Sequence, residues 1–335
     1  MKEYIHSHPF TLENGKILNG ITINYATYGE LNADASNVVW VCHALTANAE
    51  VASWWPGLVG EGCFISPEKH FIICANIIGS CYGSTGPASI DPATQQPYQQ
   101  NFPQVTIRDM VQAHQLLREH LGIKKIHLLI GGSMGGYQAL EWCVMEKDRI
   151  ENLFLLVTSA TESAWGIGIH SAQRLAIEAD PTWNTAIPHA GQNGLKAARA
   201  IGILSYRNYN NFVQKQSDTD TEKTDDYRAS SYINYQGQKL ASRFNTHSYW
   251  LLTKAMDSHH IARGRGGNID SVLASITQKT LVIGISSDIL CPVNEQKHLA
   301  TAIPNATYAE IDSDYGHDGF LIETEKITAK LRDWL

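Results

Sequence analysis

The sequence predicts an α/β protein in which a mostly parallel sheet is flanked by helices and interrupted by one helical insertion. Short apolar runs rich in β-branched residues recur along the first half of the chain and alternate with helix-like segments. Such runs are typical of strands that are buried on both faces. The signal is absent from residues 161–270 and returns near the C-terminus. Strands and helices in alternation predict right-handed crossovers within one sheet.

The composition indicates a globular protein with its own core. The 335 residues are 43% hydrophobic and 18% charged, which argues against global disorder. The net charge is −7, so nucleic-acid binding driven by phosphate contacts is not expected. No stretch reaches the roughly 18 apolar residues of a membrane span, and the first residues lack the apolar segment of a signal peptide. With six cysteines and no C-x-x-C pair, we expect a soluble cytoplasmic protein with reduced thiols.

The individual elements can be placed in order along the chain. Continuous apolar runs predict strands at 38–42, 71–75, 126–130, 153–157, 280–285 and 307–311. Thr106 followed by Asp109 is a capping-box pattern, and the apolar stripe after it predicts a helix that ends near Leu121. Residues 76–103 form a long segment rich in Gly, Pro and Ser, which is usually functional or disordered. A final amphipathic helix is expected at 323–335.

The middle of the chain differs from both ends. Residues 161–270 contain helical stretches but no run that predicts a buried strand, and the polar, acid-rich segment 214–226 is expected to be an exposed loop. The simplest interpretation is one α/β core formed by residues 1–160 and 271–335. Residues 161–270 would then be a helical lid inserted into that core.

The strongest chemical signal is a serine between a predicted strand and a predicted helix. Residues 131–135 read Gly-Gly-Ser-Met-Gly and match G-x-S-x-G. The pattern alone is weak, but a strand before it and a helix after it are what a nucleophile elbow requires. Such a turn exposes the Ser133 hydroxyl at a helix N-terminus, where free N–H groups favour developing negative charge. Ser133 is therefore the candidate nucleophile, and a plain turn serine is the alternative.

A nucleophilic serine needs a base that takes its proton and a carboxylate that orients this base. In sheets of this kind the partners follow in the order Ser, acid, His. Asp288 comes just after the next-to-last predicted strand, and His317 lies in a turn-rich loop after the last one. Both would lie at the strand ends that converge on the serine. Asp312 and Asp314 are rival candidates for the acid.

Acyl chemistry on a serine also needs two N–H donors for the oxyanion. One is normally the backbone amide after the nucleophile, here that of Met134. The other comes from the loop after an early strand, and residues 43–47 follow such a strand. Spacing alone does not select one amide of this loop. The sequence contains no H-E-x-x-H or similar metal-binding pattern, so no metal is expected.

Longer motifs occur in order along nearly the whole chain. They are Cys-His-Ala-Leu-Thr at 42–46, Trp-Trp-Pro-Gly-Leu-Val-Gly at 54–60, Cys-Tyr-Gly-Ser-Thr-Gly-Pro at 81–87, Thr-Ile-Arg-Asp-Met at 106–110, Gly-Gly-Ser-Met-Gly-Gly at 131–136, Gln-Ala-Leu-Glu-Trp at 138–142 and Asp-Tyr-Gly-His-Asp at 314–318. Together they resemble the homoserine O-acetyltransferases of methionine biosynthesis, which are members of the α/β-hydrolase superfamily.

The resemblance implies an α/β-hydrolase fold and an acyltransferase that moves an acetyl group from acetyl-CoA to the γ-hydroxyl of L-homoserine. It implies that Ser133, Asp288 and His317 form a catalytic triad in a double-displacement mechanism. It also implies that the backbone amides of Leu45 and Met134 form the oxyanion hole. No bound cofactor is expected, since acetyl-CoA serves as a co-substrate.

The resemblance further implies how the amino acid is held. Arg199 and Asp318 would bind the carboxylate and the ammonium group of homoserine, and Arg207 is a rival for the cationic role. The family is similar in being homodimeric, with residues 161–270 forming both the lid and the dimer contact. A succinyl donor, a serine acceptor, or an esterase that uses the same triad remain the alternatives.

Overall fold

An eight-stranded sheet forms the centre of the structure, a computed structural model that describes residues 1–335. The chain has ten strands, eight of which belong to this sheet. The ten are β1 (Lys2–His6), β2 (Phe10–Thr11), β3 (Ile17–Leu18), β4 (Ile21–Tyr28), β5 (Val38–Cys42), β6 (Phe71–Ala75), β7 (Ile126–Gly132), β8 (Ile150–Leu156), β9 (Lys279–Ile285) and β10 (Ala306–Ile311). Their order across the sheet is β1-β4-β6-β5-β7-β8-β9-β10, and β2 pairs with β3 in a separate ribbon. Strands β5 to β10 are parallel, whereas β1 and β4 form an antiparallel edge.

The predicted strands are all present, with small differences at their ends. The antiparallel edge formed by β1 and β4 was not predicted. In β4, the buried side chains of Ile21, Ile23 and Tyr25 alternate with partly exposed ones. This period of two is typical of a strand with one buried face. The strand was missed because continuous apolar runs predict only strands that are buried on both faces.

The helices surround this sheet. They are α1 (Val51–Trp54), α2 (Ile107–His120), α3 (Met134–Met145), α4 (Ala164–Glu178), α5 (Gln192–Tyr206), α6 (Tyr209–Gln216), α7 (Arg228–Ala241), α8 (Thr246–Asp257), α9 (Ile269–Leu273), α10 (Val293–Ala302), α11 (Gly319–Ile322) and α12 (Thr324–Trp334). The predicted capping box at the start of α2 is confirmed. The Thr106 side chain accepts from the Asp109 amide, and the Asp109 carboxylate accepts from the Thr106 amide at 2.8 Å. The predicted C-terminal helix is confirmed as α12.

Residues 161–270 contribute helices α4 to α8 and no strand of either sheet, as predicted. Helix α4 packs on α5, and α5 packs on α7. The expected loop at 214–226 begins late, because α6 continues to Gln216 before the exposed segment starts. The division into a core and a lid stays a prediction.

The sheet carries an apolar core on each face. Alternate side chains of β5 point to opposite sides, so that Trp40 joins one cluster of buried residues while Val39 and Val41 join the other. Burial on both faces explains why the central strands are continuous apolar runs. All six cysteines are free. No helix is both long enough and apolar enough to cross a membrane.

The segment 76–103 follows a defined path with little regular structure. The Asn76 side chain accepts from the Ala49 amide at 2.8 Å and donates to the Tyr82 carbonyl at 2.7 Å. The Ser84 hydroxyl donates to the Asn76 carbonyl at 2.6 Å. These bonds hold the start of the segment against the loop after β5, at the carboxyl ends of the parallel strands.

Candidate active site

Ser133 lies at the sharp turn between β7 and α3. Its backbone has φ +54° and ψ −128°, a conformation that non-glycine residues rarely adopt. A Cβ atom at Gly131 would clash with the Gly135 carbonyl oxygen, and one at Gly135 would clash with the Cys42 carbonyl oxygen. The glycines of the motif are therefore required by close backbone approach. The turn places the Ser133 hydroxyl at the carboxyl edge of the sheet.

The structure brings the three predicted triad residues together. His317 Nε2 is 2.9 Å from Ser133 Oγ, and His317 Nδ1 is 2.7 Å from Asp288 Oδ2. The other carboxylate oxygen of Asp288 accepts from the amides of Leu290 and Cys291 at 2.8 and 2.9 Å. With Nδ1–H donated to Asp288, Nε2 is free to accept the serine proton. The arrangement can therefore generate a serine nucleophile.

The electrostatic surroundings favour the protonated form of His317. Burial lowers the pKa of this imidazole, but the charge and hydrogen bond of Asp288 raise it, with further contributions from Asp318 and Glu162. The result is a pKa above the ordinary value. The site thus stabilises the imidazolium that forms when the serine proton is transferred.

The rival acids do not contact the histidine. Asp312 accepts a hydrogen bond from Ser286 at 3.0 Å and is exposed, as is Asp314. Asp288 is buried beside the His317 ring. The geometry therefore supports Asp288 as the partner of His317 over both rivals.

The two backbone segments predicted to form the oxyanion hole meet near Ser133. Met134 is the first residue of α3, so its N–H belongs to the helix end that has no intrahelical acceptor. Leu45 is buried in the loop after β5, and the backbone of that loop touches the first turn of α3 at Gly135. The structure thus brings the two segments together. The roles of the Leu45 and Met134 amides stay predictions.

The predicted substrate-binding residues surround a tyrosine that the sequence analysis missed. The Arg199 guanidinium lies 5.4 Å from the centre of the Tyr206 ring, and the Tyr206 and His317 ring centres are 5.8 Å apart. Burial raises the pKa of Tyr206, while the charges of Arg199 and Asp318 act on it in opposite directions. Tyr206 therefore lies near both charges and the base. Its spacing of two helical turns from Arg199 is the signal that could have identified it.

Arg207 is not a free cation. It forms an ion pair with Asp318, and its Nε and Nη2 atoms both donate to the Tyr232 hydroxyl at 3.1 Å. Arg199 Nε, in contrast, is buried and has no hydrogen-bond partner. A buried unpaired donor is costly unless a ligand satisfies it. The geometry therefore favours Arg199 over Arg207 as the anion-binding residue.

A thiol also lies at this site. Ligand atoms of Asp288, Cys291 and His317 all lie within 4.8 Å of one another. Burial, together with the nearby charge of Asp288, raises the pKa of the Cys291 thiol. A cysteine binds a metal ion as the thiolate, so a raised pKa disfavours metal binding by Cys291. The histidine and the carboxylate are already joined by a hydrogen bond. The cluster therefore suits proton transfer better than metal binding.

Comparison with known proteins shows which class of protein has this fold and this site. Residues 37–324 match the alpha/beta hydrolase fold family, which is the class that this fold and this Ser-His-Asp geometry define. A homoserine O-acetyltransferase of Cyclobacterium marinum is 49% identical over 324 residues, covering 97% of this chain and 92% of the relative. The chain belongs to the homoserine O-acetyltransferase family, as its motifs predicted.

Solved structures share the fold at lower identity. The crystal structure of homoserine O-acetyltransferase from Bacillus anthracis has a TM-score of 0.93 and 23% identity, covering 99% of this chain and 96% of that one. The crystal structure of esterase E22 has a TM-score of 0.90 and the same identity, covering 99% of both chains. One fold therefore carries both an acyltransferase and an esterase, and the fold alone does not distinguish them.

Proposed function

We propose that this enzyme transfers the acetyl group of acetyl-CoA to the γ-hydroxyl of L-homoserine. The observation that carries the proposal is the 49% identity, over 97% of the chain, to a homoserine O-acetyltransferase. The hydrogen-bonded series Ser133–His317–Asp288 supports it, because acyl transfer through a serine ester needs this set of groups.

In the first half-reaction Ser133 Oγ attacks the thioester carbonyl while His317 Nε2 takes its proton. The amides of Leu45 and Met134 hold the oxyanion of the tetrahedral intermediate. The intermediate collapses to an acetyl ester on Ser133. Coenzyme A leaves as the thiol, with the proton returned by His317.

In the second half-reaction the homoserine γ-hydroxyl gives its proton to His317 and attacks the acetyl ester. Collapse of the second intermediate releases O-acetylhomoserine, and His317 returns the proton to Ser133. Water is the competing nucleophile. Transfer therefore depends on a bound amino acid whose hydroxyl has a high effective concentration beside a buried serine.

Two charged residues supply the acceptor site. Homoserine is a zwitterion, and Arg199, with its buried unpaired Nε, suits the carboxylate. Asp318 follows the base His317 in the chain and suits the ammonium group of homoserine. The ion pair with Arg207 holds the Asp318 side chain in place. Tyr206 lies near both charged residues, and its ring is beside that of His317.

Replacement of Arg199 by glutamine is expected to raise KM for homoserine roughly tenfold to a hundredfold, since one charged contact to the substrate carboxylate is lost. The burst of coenzyme A that reports acetylation of Ser133 should be unchanged. Arg228→Gln is the matched control, because Arg228 is an exposed arginine whose guanidinium donates to the backbone carbonyls of 215 and 217, in the loop region around residue 217. An unchanged KM for homoserine in Arg199→Gln would remove Arg199 from the acceptor site.

The activity is tested by measuring coenzyme A release from acetyl-CoA and from succinyl-CoA, each with and without L-homoserine or L-serine. Release that depends on homoserine and acetyl-CoA is the expected result. A preference for succinyl-CoA or for serine would keep the mechanism and change the substrate. Release that is indifferent to both amino acids would favour a hydrolase, the second candidate, for which the likeness to esterase E22 is the observation.

We further propose a homodimer built on helices of the insertion, with acyl-CoA and homoserine as the small-molecule partners. Large apolar side chains are exposed on these helices: Trp165, Leu175, Leu204 and Tyr235 are 58%, 66%, 57% and 60% exposed. Because α4 packs on α5 and α5 packs on α7, these side chains lie on neighbouring helices and are the candidates for such an interface. Sedimentation analysis of the purified chain tests the assembly. The cytoplasmic location stays a prediction.

A further inference from the structure

One buried side chain joins the two backbone segments that carry the proposed oxyanion donors. Gln138 lies one turn into α3 and is fully buried. Its Nε2 donates to the His43 carbonyl at 3.1 Å and to the Met134 carbonyl at 3.3 Å. His43 lies two residues before Leu45, whose amide is the first proposed donor. Met134 itself provides the second.

The orientation of this amide follows from its partners. Both contacts are carbonyl oxygens, so the nitrogen of Gln138 must face them, and its two N–H groups serve one carbonyl each. The side chain therefore bridges the loop after β5 and the first turn of α3. No other residue type of this length and neutral charge offers two donors on one atom.

The loop end of this bridge is itself held firmly. His43 Nε2 accepts from the Ile77 amide at 3.3 Å. Burial lowers the pKa of His43 to about 4, so the ring is neutral. Nδ1 then carries the proton and donates to the Ala44 carbonyl at 2.9 Å. The His43 carbonyl is thus fixed relative to the end of β6, and Gln138 ties α3 to a defined point.

We propose that Gln138 is a positioning residue of the oxyanion hole, which sets the distance between the Leu45 and Met134 amides. The proposal rests on the serine chemistry of the proposed function. Gln138 acts through the backbone and does not touch the substrate. Two amide donors stabilise an oxyanion only when both lie about 2.7–3.1 Å from it. A change in the spacing of the two segments therefore weakens both acylation and deacylation.

Gln138→Met tests this role, because methionine has a similar length and no N–H donor. We expect kcat to fall roughly tenfold to a hundredfold, somewhat less than the loss of a whole oxyanion donor, with KM for acetyl-CoA nearly unchanged. Binding of a trifluoromethyl ketone, which forms an oxyanion adduct with Ser133, should weaken by a similar factor. The pH dependence of kcat should keep its midpoint, since Gln138 makes no hydrogen bond to His317.

The matched control is Gln278→Met. Gln278 is also buried, and its Nε2 donates to the Lys147 carbonyl at 2.6 Å. It directly precedes β9, at the amino end of that strand, whereas Ser133 lies at the carboxyl edge of the sheet. If a carbonyl left without its donor lowers the stability, it should do so in both variants. The decrease in kcat and the weaker binding of the ketone, in contrast, should occur only in Gln138→Met. Wild-type kcat and ketone binding in Gln138→Met, or equal losses in the two variants, would overturn the proposal.

Two further measurements keep the outcome decisive. If Gln138→Met does not fold, Gln138→Asn keeps the amide but is too short to reach both carbonyls, and the same loss of kcat is expected. Acetylation of Ser133 by p-nitrophenyl acetate needs neither coenzyme A nor homoserine. If the wild-type chain lacks transferase activity but reacts with this ester, the proposed function fails while the role of Gln138 is still tested.

Discussion

Ser133→Ala is expected to abolish formation of the acetyl-enzyme and to lower kcat by about 10⁴-fold or more. The side chain that His317 activates at 2.9 Å is then absent, and no other hydroxyl lies within hydrogen-bond distance of that nitrogen. Rapid-quench measurement of coenzyme A release should show no burst. Intact-protein mass spectrometry after mixing with acetyl-CoA should show no added acetyl group.

Ser66→Ala is the control for this experiment. Ser66 is also buried, but it precedes β6 and lies away from the strand ends that carry the site. This variant should keep the burst and the acetyl adduct. If Ser133→Ala still formed an acetyl-enzyme at the wild-type rate, another residue would be the nucleophile and the double-displacement mechanism through Ser133 would be wrong.

Asp288→Asn is expected to lower kcat by about 10⁴-fold while the chain still folds. The amides of Leu290 and Cys291 donate to one oxygen of Asp288, so the amide oxygen of asparagine will occupy that position. The asparagine NH₂ group then faces His317 Nδ1, which can no longer donate. The proton moves to Nε2, and the ring cannot accept the proton of Ser133.

The same variant should change the pH dependence of the residual activity. In the wild-type enzyme the base must be neutral, so activity rises with pH through the raised pKa of His317. Asp288 contributes most of the charge that raises this pKa against the opposing effect of burial. Without that charge the midpoint should move to lower pH. Asp312→Asn, at an exposed aspartate outside the site, should leave both kcat and the midpoint unchanged.

An unshifted midpoint in Asp288→Asn, measured as kcat against pH at saturating acetyl-CoA, would show that another group sets the titration of the base. A small loss of kcat would show that Asp288 does not hold the working tautomer. The two results are independent, because the tautomer depends on a hydrogen bond and the midpoint depends on charge.

The sequence by itself determined the parallel part of the sheet and the turn that carries Ser133. Continuous apolar runs identify strands buried on both faces, and a serine between glycines, after a strand and before a helix, identifies the turn. Asp288 and His317 could be predicted for a related reason. The carboxyl ends of parallel strands meet at one edge, so residues just after two strands are brought to the same place.

Only the tertiary structure decided which side chains complete the site. The pairing of Arg207 with Asp318 joins residues that are 111 positions apart, and no local pattern reports such a contact. The place of Tyr206 beside the His317 ring depends on how α5 packs over the strand ends. The bridge from Gln138 to the His43 carbonyl spans 95 positions. Hydrophobic periodicity records which face of an element is buried, whereas a hydrogen bond between distant elements depends on distances that exist only in the folded chain.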